Sequence, residues 1–333
     1  MKKLSKVLLI LGIIFLVIGA LWMTISFIPP QKATEHNPWR SDKTLISAHR
    51  GGANLNPENT KMAFDYVIND TKYTDIVEID VRLAKSDDKD KEYELVIIHD
   101  ASINRTGIDE NIKEEEKLVK DLTVSELKTY NLGINFKKDD AYPYKDTTNL
   151  SEDDRDDLTI MTLEEFFNEY RNDREFRLLL EIKDSKEDGI TAVDIAEGLL
   201  ANTDNSWWDE RTMIISFSTD VVNHVLEKYP DRYVAGMGYN MVPFLVGSIL
   251  RVDALFNIKY QSIQTSMITK AGPISINCAT QTFVDSAHKR NQCVAYWTIN
   301  EKEDMEYLIS LGADIITTNS PDLLAEVLGR LEE

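Results

Sequence analysis

The amino-acid sequence predicts an α/β chain: a TIM-type (β/α)8 barrel with a hairpin and a long insertion after its second strand, preceded by one N-terminal transmembrane helix. Three observations lead there. From Thr44 onward, short apolar strands alternate with amphipathic helices, the pattern of a parallel sheet with helices outside. One link between two strand candidates is too short and polar for a parallel crossover. At the start of the chain, an uncharged apolar run from Val7 to Ile28 has the ~20 residues that one bilayer crossing needs.

In chain order, Lys2, Lys3 and Lys6 come first. The apolar run after them continues past Gly19-Ala20 through Leu21, Trp22, Met23 and Phe27 with no Ala-x-Ala pattern. It therefore reads as an uncleaved anchor, not a signal peptide. The lysines put the N-terminus in the cytoplasm. The expectation is a single-pass protein of the cell membrane with the rest of the chain on the extracytoplasmic side. Residues 1–30 are then stub and anchor, 31–43 a polar linker, and 44–333 one barrel domain.

Strand candidates are Thr44–His49, Ile76–Leu83, Glu94–His99, Phe176–Lys183, Met213–Ser218, Tyr233–Gly238, Tyr260–Thr265, Val294–Ile299 and Asp314–Thr318. Nine is one too many for the barrel. "AKSDDKDKEY" resolves the count: Ile76–Leu83 and Glu94–His99 pair as a hairpin above the rim. Helices are expected at Asn59–Ile68, Thr162–Tyr170, Thr191–Ala201, Thr219–Lys228, Ile276–Arg290, Lys302–Leu311 and Pro321–Leu331. Asn56 caps the first of them, with Pro57 at its first position. The insertion, 101–158, carries solvated acidic runs and a short helix near Thr123–Tyr130, and its place predicts a lid or binding element. The apolar stretch Met241–Phe256 is too short to span; it reads as a buried barrel helix, with a lipid-facing lip as the alternative.

The formal net charge is −20, and without the three leading lysines it is −23. That excludes nucleic acid and anionic lipid surfaces as general partners. An acidic chain that handles an anion needs a local positive centre. The two cysteines, Cys278 and Cys293, are too few for a disulfide framework and read as buried thiols.

Strand alternation sets Glu78 and Asp80 on one face, and Glu181 and Lys183 on one face of another strand. Charges facing into a barrel are costly unless paired or bound to a metal. Three carboxylates at strand ends form a hard oxygen site that suits Ca²⁺ or Mg²⁺ better than zinc. The competing reading is structural ion pairing, Glu181 with Lys183 or Glu78 with Arg82. His49 and His99 end their strands on the same rim. His36, His224 and His288 lie in the linker or in helices and read as structural. Two imidazoles around a metal, with Arg50 beside the glycines that end the first strand, fit acid–base cleavage of a phosphate ester.

These stretches resemble the glycerophosphodiester phosphodiesterases: "AHRGG" at 48–52, "PENT" at 57–60, "VEIDVRLAKSD" at 77–87 and "VIIHDASINRTG" at 96–107. "MTLEEFF", "LEIKD", "IISFS", "YWTIN" and "IITTNSP" follow in order. The resemblance implies hydrolysis of glycerophosphodiesters to glycerol 3-phosphate and an alcohol with a divalent metal. It implies a catalytic pair at His49 and His99, and metal ligands at Glu78, Asp80 and Glu181. Glu58 and Asn59 support them, Arg50 and Lys183 bind phosphate, and Trp297 lines the glycerol or leaving-group pocket. One departure is Asn319, where that family usually has Asp. Two other readings stay open: a phospholipase-type barrel acting on lysophospholipids or glycerol-phosphate polymers at the cell surface, and a non-catalytic binding module.

Overall fold

The structure is a computed structural model that describes residues 2–171, 175–202, 206–271 and 274–331. Met1 and the last two residues of the expected barrel domain lie outside the described residues.

The apolar N-terminal run forms helix α1, Lys2–Ser26. Its stretch Lys6–Ser26 has mean hydropathy 2.8, and none of its residues is buried inside the protein. The chain then crosses the base of the barrel. Ala33 donates to the Arg290 carbonyl, and Asn37 Nδ2 donates to the carbonyls of Gln261 and Asn291. Trp39 enters the base and is fully buried.

Eight parallel strands close the barrel: β1 (Leu45–Ala48), β2 (Ile76–Lys85), β4 (Arg177–Ile182), β5 (Thr212–Ile215), β6 (Tyr233–Gly236), β7 (Ser262–Thr265), β10 (Cys293–Tyr296) and β11 (Ile315–Thr318). β11 pairs back onto β1, Leu45 opposite Ile315. β3 (Tyr93–Ile97) runs antiparallel to the upper half of β2, as the short polar link predicts. A second hairpin, β8 (Ile268–Ala271) with β9 (Ile274–Asn277), was not expected. Its first residues follow β7 directly, and its last two occupy what the sequence reads as helix.

The helices are α2 (Lys61–Asp65), α3 (Asn104–Gly107), α4 (Val124–Leu127), α5 (Glu152–Asp157), α6 (Leu163–Tyr170), α7 (Lys186–Leu200), α8 (Ser206–Asp209), α9 (Thr219–Lys228), α10 (Val242–Leu250), α11 (Gln281–Lys289), α12 (Lys302–Ser310) and α13 (Pro321–Leu328). Asn56 does not cap α2. Thr60 does, its Oγ1 accepting from Ala63 N–H, and Asn56–Asn59 form the loop before it. This loop is held by Asn59 N–H donating to the Arg50 carbonyl at 2.9 Å. Helix α6 starts on a reciprocal capping box, Thr162 with Glu165, which offsets two unpaired backbone donors.

Two cores follow from strand parity. Ile76, Leu179, Met213, Ala235, Cys293 and Ile315 point inward and pack over Trp39. Val77, Ile79, Leu178 and Leu180 point outward and pack under the helices. The insertion has its own small core around Val96, Ile103, Val119 and Leu127. Both cysteines are buried free thiols.

Candidate active site

The inward parity that starts with Ile76 on β2 continues to Glu78 and Asp80, and that of Leu179 on β4 continues to Glu181 and Lys183. Asp80 and Glu181 are register partners on adjacent strands. The three carboxylates, 2%, 0% and 7% exposed, each present an oxygen within 4.8 Å of the other two. Such crowding of buried like charge is unfavourable alone. Burial, then Asp80 and Glu181, push Glu78 well above the usual carboxyl range. Burial and Asp80 likewise raise Glu181, while Lys183 offsets part of this. Burial works against ionisation of Asp80 too, but Lys183 and Arg50 hold it below its ordinary value.

Both sequence readings of these charges meet here. Lys183 Nζ donates to Glu181 at 2.6 Å and lies 3.5 Å from Asp80. The alternative pair of Glu78 with Arg82 does not form: Arg82 donates to Asp184 and to the His99 carbonyl. Glu78 Oε1 and Asp80 Oδ1 are buried and accept no hydrogen bond. Two orphan oxygens aimed into an all-oxygen cluster fit a hard divalent cation.

His49 leaves β1 at the rim. Its Nδ1 lies 2.6 Å from Asn319 Oδ1, so Nδ1–H donates and Nε2 is the free nitrogen. Nε2 lies 3.9 Å from Glu78. Burial, then Arg50, push its pKa down to about 4. Arg50 sits in the left-handed region (φ 53°), as does Asn59 (φ 57°). For a side chain as large as arginine that backbone is strained. It aims the Arg50 N–H at Glu78 (2.9 Å) and the guanidinium at Glu58 (2.9 Å) and Asp80 (3.2 Å). Asn59 Nδ2 donates to Asp80 at 2.9 Å. Gly51 follows at φ 78°, where a Cβ would meet Ala63 Cβ at 2.9 Å.

The β2–β3 hairpin returns His99 to the same level: Ile98 N–H donates to the Asp80 carbonyl. His99 Nδ1 lies 2.6 Å from Asp100 Oδ1, again leaving Nε2 free. Arg105 ties Asp100 to Glu58, donating to both. Asp100 and Arg105 lie within the stretch VIIHDASINRTG, where sequence alone marks neither, and only the fold joins them to Glu58.

A cavity of about 220 Å³ gathers His49, Arg50, Glu78, His99, Glu181, Lys183 and Trp297. Asp80, Glu58 and Asn59 stand behind its wall. The sequence missed Phe217 and Gln264, which also line it. Phe217 packs edge-on to Trp297, ring centroids 5.4 Å apart, and the Trp297 indole N–H is buried without a partner. A second cavity of about 710 Å³ lies between Glu58, Arg105 and the insertion residues Asn135, Lys137 and Lys138.

A metal-sized carboxylate cluster between two imidazoles, at the open end of a parallel barrel, is the ground on which comparison with known proteins decides. The family model "Glycerophosphoryl diester phosphodiesterase family" matches residues 49–323. This chain belongs to that family. It is therefore a phosphoric diester hydrolase by class. A glycerophosphodiester phosphodiesterase of Caldanaerobacter subterraneus subsp. tengcongensis is 30% identical over 287 residues, covering 86% of this chain and 98% of the relative. One from Bacillus subtilis is 23% identical over 321 residues, 96% of this chain and 97% of the relative. Among solved structures, a putative glycerophosphoryl diester phosphodiesterase of Silicibacter pomeroyi superposes with TM-score 0.64 at 19% identity, covering 87% of this chain and 95% of that one. An Oleispira antarctica phosphodiesterase in complex with the product sn-glycerol-3-phosphate superposes with TM-score 0.61 at 18% identity, covering 90% and 100%. The last two establish the shared barrel.

Proposed function

We propose that this phosphodiesterase hydrolyses glycerophosphodiesters to glycerol 3-phosphate and an alcohol, with His49 and His99 as the acid–base pair. The observation that carries the reading is the matched orientation of the two rings. Each donates Nδ1–H to a fixed acceptor, and each keeps Nε2 for the cavity that holds Arg50 and Lys183. The product named in the Oleispira complex is consistent with it.

Glu78, Asp80 and Glu181 would hold a divalent cation, Ca²⁺ or Mg²⁺, which when bound supplies positive charge to the non-bridging phosphoryl oxygens. Arg50 and Lys183 add charge and direct hydrogen bonds to the same oxygens. One imidazole takes a proton from the attacking hydroxyl, and the other gives one to the leaving alcohol. The attacking group is water, or the glycerol 2-hydroxyl in a route through a cyclic phosphate that water then opens. Trp297 and Phe217 form the apolar wall against which glycerol or the leaving group packs. Glu58 and Asn59 hold Arg50 and Asp80 in place.

The hydropathy of α1 and the lysines at its start support a single-pass anchor in the cell membrane, residues 1–30, with the barrel from residue 44 onward outside. Residues 31–43 join the two.

The test is glycerol 3-phosphate release from glycerophosphocholine, glycerophosphoethanolamine and glycerophosphoglycerol, with Ca²⁺, with Mg²⁺ and with chelator. Release that needs metal and is abolished in both His49→Ala and His99→Ala is the expected result. Release that survives either substitution removes the proposed acid–base pair.

A further inference from the structure

Helix α10 breaks the rule that its neighbours keep. From Val242 to Leu250 it reads VPFLVGSIL, and neither it nor the turn before it, Gly238–Met241, has a charged side chain. Every other barrel helix of eight residues or more among the described residues carries charge on its outer face. Phe244, Leu245, Gly247 and Ser248 pack inward. Val242, Val246, Ile249 and Leu250 face out, 38% to 58% exposed. They recur at helical spacing and make one apolar stripe along the helix. A helix apolar all round is normally covered on every side, and contiguous exposed apolar surface marks a docking site.

Both ends of the stripe say what covers it. At its lower end the Trp22 indole N–H donates to the Leu250 carbonyl at 2.8 Å. Trp22 lies in the last turns of the apolar helix α1, and Trp is the residue that favours the membrane–water boundary. Leu250 is thus level with that boundary when α1 spans. At the upper end the stripe reaches the barrel mouth. Tyr239, 84% exposed, follows β6, between Phe217 after β5 and the hairpin β8–β9 after β7, which exposes Ile268 and Ile274. Strands β5, β6 and β7 are neighbours, so these residues form one continuous arc of the rim. The opposite arc, with Glu58, Arg105, Lys137 and Lys138, is polar.

We infer that this stripe and arc seat on the bilayer that holds α1, so that the barrel lies on its side and its mouth opens at the lipid surface. This rests on the reading of α1 as a span and deepens the proposed function: the site is then placed to take glycerophosphodiesters whose leaving alcohol stays in the membrane. The net negative charge of the domain makes apolar insertion the driving interaction, not attraction to headgroups.

The test uses the full chain reconstituted in phosphatidylcholine vesicles. Val246→Cys and Tyr239→Cys are labelled separately with a fluorophore that brominated phosphatidylcholine quenches; Cys278 and Cys293 are buried. Leu9→Cys in α1 reports the bilayer, and Glu306→Cys on α12 reports water. The expected result is loss of most of the fluorescence at Val246, Tyr239 and Leu9, and little at Glu306. Quenching at Leu9 with Val246 and Tyr239 as bright as Glu306 overturns the seat. A bright Leu9 overturns the span and the seat together. Adding Val246→Glu and Ile249→Glu to the Tyr239→Cys protein should restore its fluorescence while turnover of soluble glycerophosphocholine is unchanged; persistent quenching there also overturns the seat. Absence of soluble turnover in the parent chain, with Val246 quenched, strikes the catalytic reading and leaves the seat standing.

Discussion

The His49 ring and the Asn319 amide meet at 2.6 Å, Nδ1 to Oδ1, across the seam where the first and last barrel strands close. The acceptor orients the ring but carries no charge. That leaves burial and Arg50 free to push the His49 pKa down to about 4. Asn319→Asp places a carboxylate at the same atom, so the pKa should rise, and the neutral form of the ring is then lost at a higher pH. Histidine resonances followed by NMR titration measure it, alongside the acid limb of kcat/KM. An unmoved resonance would show that the amide does not set the ring's acidity.

His99 has the opposite kind of partner, a carboxylate. Asp100→Asn keeps the size and removes the charge that holds Nδ1–H. The expected loss is in kcat, by about 10–100-fold as is usual for outer partners of site histidines, with KM little changed. Steady-state kinetics on a soluble diester would separate the two parameters; a loss confined to KM contradicts the role.

The carboxylate cluster links metal, protons and stability. The pKa values of Glu78 and Glu181 are raised in the folded chain, so the folded state holds their protons more tightly than the unfolded one. Their contribution to stability is present below the ordinary glutamate range and lost as pH rises through the folded values. A cation must displace those protons. The rise in thermal unfolding temperature caused by Ca²⁺ or Mg²⁺, relative to chelator, should therefore grow as the pH is raised through a range that begins at the ordinary glutamate value. Glu78→Gln should stabilise the chelated protein at neutral pH and abolish most of the metal-induced rise. A metal-induced rise that is equal at both ends of the range would count against the linkage.

Trp39 fills the base of the barrel at the far end from the cavity. Trp39→Ala leaves a void under Ile76, Leu179 and Ile315 and should cost about 3–5 kcal/mol, read as a lower denaturation midpoint in urea. Activity of the fraction still folded should be retained, because Trp39 packs at the start of the strands, at the opposite end of the barrel interior from the histidines and carboxylates.

Much of this was legible because strand parity is strict. Glu78, Asp80, Glu181 and Lys183 could be placed on the barrel interior from alternation alone, and the hairpin from the length of one polar link. The same parity extended past β11 and β5 reaches Asn319 and Phe217, so a signal for both existed. Asn319 stands out only as a departure from the family's usual Asp, and Phe217 goes unmarked because a phenylalanine announces no chemistry by itself. The Arg105–Asp100–Glu58 chain joins segments that only the folded insertion brings together. The start of α2 was misplaced because Pro57 and Asn56 mimic a cap, while Thr60 supplies the real one. The β8–β9 hairpin went unseen because its alternating apolar residues run straight into a helix of similar composition. The outward face of α10 was misjudged for a physical reason: uniform apolarity says nothing about which side meets the protein.

The route of the chain beneath the barrel has one more consequence. Only Phe27 to Lys32 separate the end of α1 from Ala33, the first residue bonded to the barrel base. Fully extended, so short a leash reaches about 20 Å. With α1 in a bilayer, the enzyme therefore cannot graze the surrounding medium. Diesters must come to it, by sliding in the plane of the membrane or by drifting into a thin layer above it. The rate of supply then scales with surface density, and a cell could tune throughput by crowding or thinning that layer without altering the catalyst.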